Sequence, residues 1–137
     1  MSNNPVVHFE MPYEDATRAA DFYKTVFGWD MQNTGNEMGD YILAITTDVD
    51  DKQMPTTPGA INGGLYPLKS APEHKEPSLV ISVDDLDKAL ADIKASGGTI
   101  IREPEEIPGI GMWASFRDTE GNRVSVLKPN PRDDQAA

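Results

Sequence analysis

The 137-residue chain carries 12 Lys and Arg against 23 Asp and Glu, a formal charge of −11, and has no cysteine. This length suits one domain around one core, and the missing thiols exclude disulfide frameworks, thiolate metal sites and cysteine nucleophiles. The acidic surplus argues against nucleic acid or an anionic membrane as partner and favours a cationic ligand.

The first twelve residues have neither a basic n-region nor an apolar h-region, and no apolar run approaches the ~20 residues of a membrane span. The expectation is a soluble, cytoplasmic protein with no membrane partner, and with residues 1–4 and 130–137 as polar tails. Residues 6–11 alternate in strand fashion and stop at Pro12. From Asp15 the period changes: Ala16, Ala19, Ala20, Tyr23, Val26 and Phe27 form one helical face, Arg18, Asp21 and Lys24 point away, and Gly28 ends the helix. Residues 29–33 and 41–47 read as strands around a turn near Gly35 and Gly39, and residues 60–66 as a fourth strand weakened by Gly63 and Gly64. Residues 67–77, rich in Pro, Lys and Glu, read as a linker that carries His74 as a solvated loop histidine.

The second half repeats this order. Residues 78–83 read as a strand running into Asp84 as helix N-cap, with Asp87 three residues on. Leu86, Ala89, Leu90 and Ile93 supply the apolar stripe, and Gly97-Gly98 the stop. Residues 99–102, 112–117 and 123–127 give three more strands, with Glu105 and Glu106 in an exposed loop and residues 118–122 as a hairpin turn. Each half is strand, helix, three strands, offset by about 70 residues.

Three local patterns carry a family resemblance. His8-Phe9-Glu10-Met11-Pro12 is followed by Phe22-Tyr23 and Phe27-Gly28-Trp29; Ser82-Val83-Asp84-Asp85-Leu86 precedes Gly97-Gly98; and Asp118-Thr119-Glu120-Gly121-Asn122 has Thr119 where the pattern has proline. Together they resemble the vicinal oxygen chelate superfamily of glyoxalase I, extradiol dioxygenases, fosfomycin resistance enzymes and bleomycin resistance proteins. The match is nearest to a glyoxalase-like group with the Ile-Pro-Gly-Ile-Gly stretch at residues 107–111. The resemblance implies an α+β fold in which two βαβββ modules form a curved mixed sheet with an open cup. It makes residues 5–129 one domain, of module one (5–67), linker (67–77) and module two (78–129), and implies a homodimer.

The same resemblance implies a divalent metal held from the first and last strands of each module. His8 matches the first ligand position, fourteen residues before Phe22. The second position falls on Ser78, the last-strand glutamate position on Ser125, and Asn62 is the polar candidate on the remaining strand. Serine hydroxyls are poor primary ligands, so the expectation is no metal and no other cofactor.

Strand alternation places Phe9 and Met11 under the first helix and His8 and Glu10 toward the cup. Ser78, Ser115, Ser125 and Trp113 fall on the cup side of the second module. The resulting reading is a small-molecule binder with Asn62, Ser78, Trp113, Ser115 and Ser125 as ligand contacts. Its alternative is a lyase or isomerase of the glyoxalase type, with His8 and Glu10 as catalytic acid and base and a loosely held metal at most.

Overall fold

The computed structural model describes residues 3–131. The chain divides into two compact units, residues 8–77 and residues 78–131 together with residues 3–7.

The first unit holds β1 (Val6–Tyr13) from His8 onward, followed by α1 (Ala16–Phe27), β2 (Asp30–Asn33), β3 (Ile42–Ile45) and β4 (Asn62–Pro67). Asp15 caps α1 by accepting the Arg18 N–H at 3.0 Å. Gly28, at φ 73°, turns the chain into the left-handed conformation that returns its N–H to the last carbonyls of α1. The strands order as β2-β3-β4-β1, with β1 and β4 parallel and the other pairs antiparallel. Tyr13, Ile42, Ala44 and Leu65 form the core, and Phe9, Met11, Ala16, Ala19 and Tyr23 pack on it.

Two expectations shift here. β1 continues through Pro12, because a residue so near the strand end forfeits at most one ladder bond. Val26 and Phe27, placed on the apolar face of the helix, are 55% and 59% exposed. Trp29 folds back after Gly28 and takes the space beside Tyr23, its rings stacked at 4.9 Å and 9°.

In the second unit β5 (Ser78–Ser82), α2 (Leu86–Ala95), β6 (Thr99–Ile107), β7 (Gly111–Arg117) and β8 (Arg123–Pro129) repeat the plan, in the order β5-β8-β7-β6 with β5 and β8 parallel. Val83, Leu86, Leu90, Ala114 and Val126 make the core. The helix cap is Asp85 and not Asp84: the apolar stripe starts at Leu86, and Asp85 accepts the Lys88 N–H at 3.0 Å. The helix closes on Ser96, one residue ahead of Gly97.

β6 runs five residues beyond its expected end, so Glu105 and Glu106 lie on a strand, both exposed, instead of in a loop. Register shifts on either side of Arg102, and a position at the end of the unit's sheet, accommodate Pro104. Asn130, assigned to a tail, donates its N–H to Ile110 O at 2.8 Å. Residues 3, 4 and 131 of the expected tails are exposed and belong to no helix or strand, and residues 1–2 and 132–137 lie outside the described residues. The fold is α+β, built of two βαβββ units each with a mixed sheet.

Candidate functional site

Alternation along β1 sends Phe9 and Met11 to the core and leaves His8 and Glu10 on the opposite face of the sheet. Tyr41, immediately before β3, has the opposite parity to buried Ile42 and Ala44, so it joins His8 and Glu10. Its phenol crosses Gly64, which pairs with Glu10 on β1 and Leu43 on β3. A Cβ on Gly64 would overlap the Tyr41 phenol, and one on Gly63 the Phe9 ring on the core side. The two glycines that weaken β4 by propensity are therefore what lets an aromatic ring lie on each face.

The Tyr41 Oη lies 3.0 Å from His8 Nε2 and 3.4 Å from Glu10 Oε2. Burial pushes the His8 imidazole down to about 4, so it is neutral at pH 7. Burial, followed by the Glu10 charge and hydrogen bond, pushes the Tyr41 phenol well above the ordinary tyrosine range, and it stays protonated.

Nearby, Tyr66 Oη donates to the His74 carbonyl at 2.7 Å. His74 is not the solvated loop residue expected: it is 2% exposed. A 3-10 turn over Leu68–Ser70 and the His74 N–H bond to Ala71 O at 2.8 Å fold the polar segment back and tuck the imidazole in. Asn62, the register partner of His8, directs its Oδ1 to the Thr46 and Thr47 N–H groups at 2.8 and 3.0 Å. Both acceptor sites of that amide oxygen hold the chain that leaves β3.

In the second unit Ser115 pairs directly with Ser125 and Trp113 with Leu127, on the face opposite Ala114 and Val126. Ser78 lies on β5, two residues before Val80, the register partner of Ser125. Ser115 and Ser125 are 0% exposed and Ser78 is buried. Among the described residues, the three hydroxyls and the Trp113 Nε1 have no hydrogen-bond partner. The structure thus groups His8 with Glu10 in one unit, and Ser115 with Ser125 and Trp113 in the other.

Tyr41 is the residue that sequence reasoning missed. Its signal was its parity against Ile42 and Ala44, combined with a glycine at the crossing point.

The residues at the four family ligand positions do not fit a divalent metal. They offer an imidazole whose Nε2 faces Tyr41, an amide oxygen committed to backbone, and two neutral hydroxyls. Among the described residues, no three His, Asp or Glu side chains gather in a metal-holding group.

Paired βαβββ units with polar side chains on the sheet face away from each helix define a glyoxalase-like class of protein. The Glyoxalase/Bleomycin resistance protein/Dioxygenase superfamily matches residues 6–126, and the chain belongs to it. It is 39% identical over 66 residues to the "Putative glyoxylase CFP32" of Mycobacterium tuberculosis, a match covering 48% of this chain and 24% of that protein. The chain thus spans about a quarter of the length of that relative. It is 27% identical over 132 residues to the "Probable lactoylglutathione lyase" of Vibrio cholerae, covering 93% of each. The methylmalonyl-CoA epimerase of Streptomyces coelicolor shares the fold, with a TM-score of 0.67 and 18% identity over 96% of this chain and 98% of that one.

Proposed function

We propose that this protein binds a small molecule at the His8, Tyr41 and Glu10 face of its first unit, without the divalent metal that the family pattern implies. The observation that carries the reading is the hydrogen-bonded set itself: a neutral imidazole, a phenol and a carboxylate meet on one sheet face of the first unit, while the remaining ligand positions hold an amide whose oxygen binds backbone and two neutral hydroxyls. Ser78, Ser115, Ser125 and Trp113 are the second unit's candidates for ligand contact, supported by buried polar atoms without partners. In this reading Asn62 holds the loop after β3.

Two measurements test the proposal. Calorimetric titration with zinc, nickel or manganese chloride is expected to show no stoichiometric binding, and one equivalent of metal that disappears in His8→Ala overturns the metal-free reading. A thermal-shift screen of small polar aromatics is expected to give stabilising compounds whose effect falls in Tyr41→Phe and Glu10→Gln. Hits insensitive to both variants overturn the location.

A second reading, a lyase or isomerase of the glyoxalase type, is favoured by the similarity to the Vibrio cholerae protein along nearly the whole of both chains. His8→Ala separates the two: a binder loses about the worth of one hydrogen bond, ~1 kcal/mol or roughly fivefold in affinity, whereas an acid–base enzyme loses most of its turnover. We also take the protein to be a cytoplasmic homodimer. β2 and β6 each end the sheet of their unit and present a strand edge for pairing. Among the described residues, no helix is long and apolar enough to cross a membrane. Light scattering that returns the 15.0 kDa monomer at micromolar concentration overturns the dimer.

A further inference from the structure

Tyr41 has one hydroxyl proton and faces two groups able to take it, His8 Nε2 at 3.0 Å and Glu10 Oε2 at 3.4 Å. An ionised carboxylate has acceptor sites only, while a neutral imidazole has one donor nitrogen and one acceptor nitrogen. If the phenol gave its proton to His8, an oxygen lone pair would face the Glu10 carboxylate with no proton between them, in a part-buried setting that screens the repulsion poorly. If the phenol instead donates to Glu10, its oxygen is left to accept, and His8 completes the chain with a proton on Nε2. With Glu10 ionised, this second arrangement alone satisfies both contacts.

We infer that Tyr41 is a positioning residue that holds His8 in the Nε2–H form and so presents the Nδ1 lone pair as the acceptor for an N–H or O–H group of the bound small molecule. The inference rests on the reading that this face binds a ligand, and it specifies which ligands. A hydroxyl, amide or ammonium donor fits at Nδ1, whereas an oxyanion there meets a lone pair. The low basicity of His8 keeps the ring neutral near pH 7, so the lone pair remains available. The charge of −11 works in the same direction, attracting cationic donors and opposing anions. Gly64 is part of the device, because any side chain there occupies the space of the phenol.

The test is two-bond proton–nitrogen NMR of the full chain at pH 7, in wild type, Tyr41→Phe and Glu10→Gln. Wild type is expected to show a protonated Nε2 and a bare Nδ1. Tyr41→Phe is expected to shift both nitrogens toward averaged values. Glu10→Gln, which offers Tyr41 an amide N–H, is expected to release the phenol proton and move His8 toward the Nδ1–H form. A wild-type spectrum of the Nδ1–H form overturns the inference, and so does one unchanged in both variants. Should Tyr41→Phe fail to fold, Glu10→Gln carries the decision alone.

Phenol and anisole, in which a methyl group replaces the O–H proton, test the ligand class. Phenol is expected to move the Nδ1 resonance and anisole to leave it in place, and equal responses overturn the donor assignment. The tautomer is read without any ligand, so its failure is distinguishable from a screen that returns no binder. The latter counts against the proposed function and leaves the His8 geometry standing.

Discussion

His8 governs part of the acid response of the fold. Its imidazole falls from the ordinary 6.5 to about 4 because burial disfavours the charged ring. Between those values the unfolded chain binds more protons than the folded one. Stability from this group is therefore fully present above pH 6.5 and declines as pH falls toward 4. At ~1.4 kcal/mol per pKa unit, the loss has a ceiling of about 3 kcal/mol. Urea midpoints at pH 6.5 and 4.5 check this: wild type is expected to lose more stability over the interval than His8→Asn, and equal losses would place the acid sensitivity elsewhere. Gly64→Ala probes the same geometry from below the ring. The new methyl group displaces Tyr41, with an expected cost of about 1–3 kcal/mol from overpacking. It also uncovers His8, whose NMR titration midpoint is expected to move up toward 6.5. An unshifted midpoint would show that the phenol does not shield the imidazole.

At the level of elements, the start of α2 separates two adjacent acids by role. Asp85 accepts the Lys88 N–H while Asp84 lies one residue outside the helix. Asp85→Ala is expected to cost about 1 kcal/mol and Asp84→Ala a few tenths, read from urea denaturation of each. Comparable costs would assign the cap to both. The same helix shows why most elements are legible in the sequence: the i, i+3, i+4, i+7 apolar positions of α2 and the alternation of β1, β7 and β8 each follow from one period and one buried face. What escaped depended on partners distant in sequence. β6 continues past Arg102 to Ile107, because at the end of a sheet a proline such as Pro104 leaves most of the pairing intact. The burial of His74 is hidden from the sequence because a polar segment looks solvated until its turns close over the ring. His8 and Glu10 were legible from strand parity, whereas Tyr41 becomes their partner only when the β1–β4 and β3–β4 registers bring it over Gly64.

For the molecule as a whole, the charge of −11 on 137 residues sets how salt acts. Twelve cations cannot pair 23 acids, so the average carboxylate feels repulsion from its neighbours. Attractive surface pairs such as Lys88 with Asp92, 2.7 Å apart and both exposed, are screened by the surrounding water and contribute little each. Screening shortens from ~30 Å at 0.01 M salt to ~8 Å at 0.15 M, which removes the long-range repulsion first and leaves close pairs less affected. Raising sodium chloride over this range is therefore expected to stabilise the fold by about 1 kcal/mol, a rise of roughly 4 °C in Tm by calorimetry. Two copies of the chain repel by the same field, so the proposed homodimer is expected to tighten with salt, seen as a higher mass by light scattering at fixed micromolar concentration. A Tm that falls with salt would mean that local ion pairs outweigh the net charge. A mass that falls would mean that the dimer is held by charge complementarity, and the pairing would then have to be sought among the basic residues instead of along the strand edges.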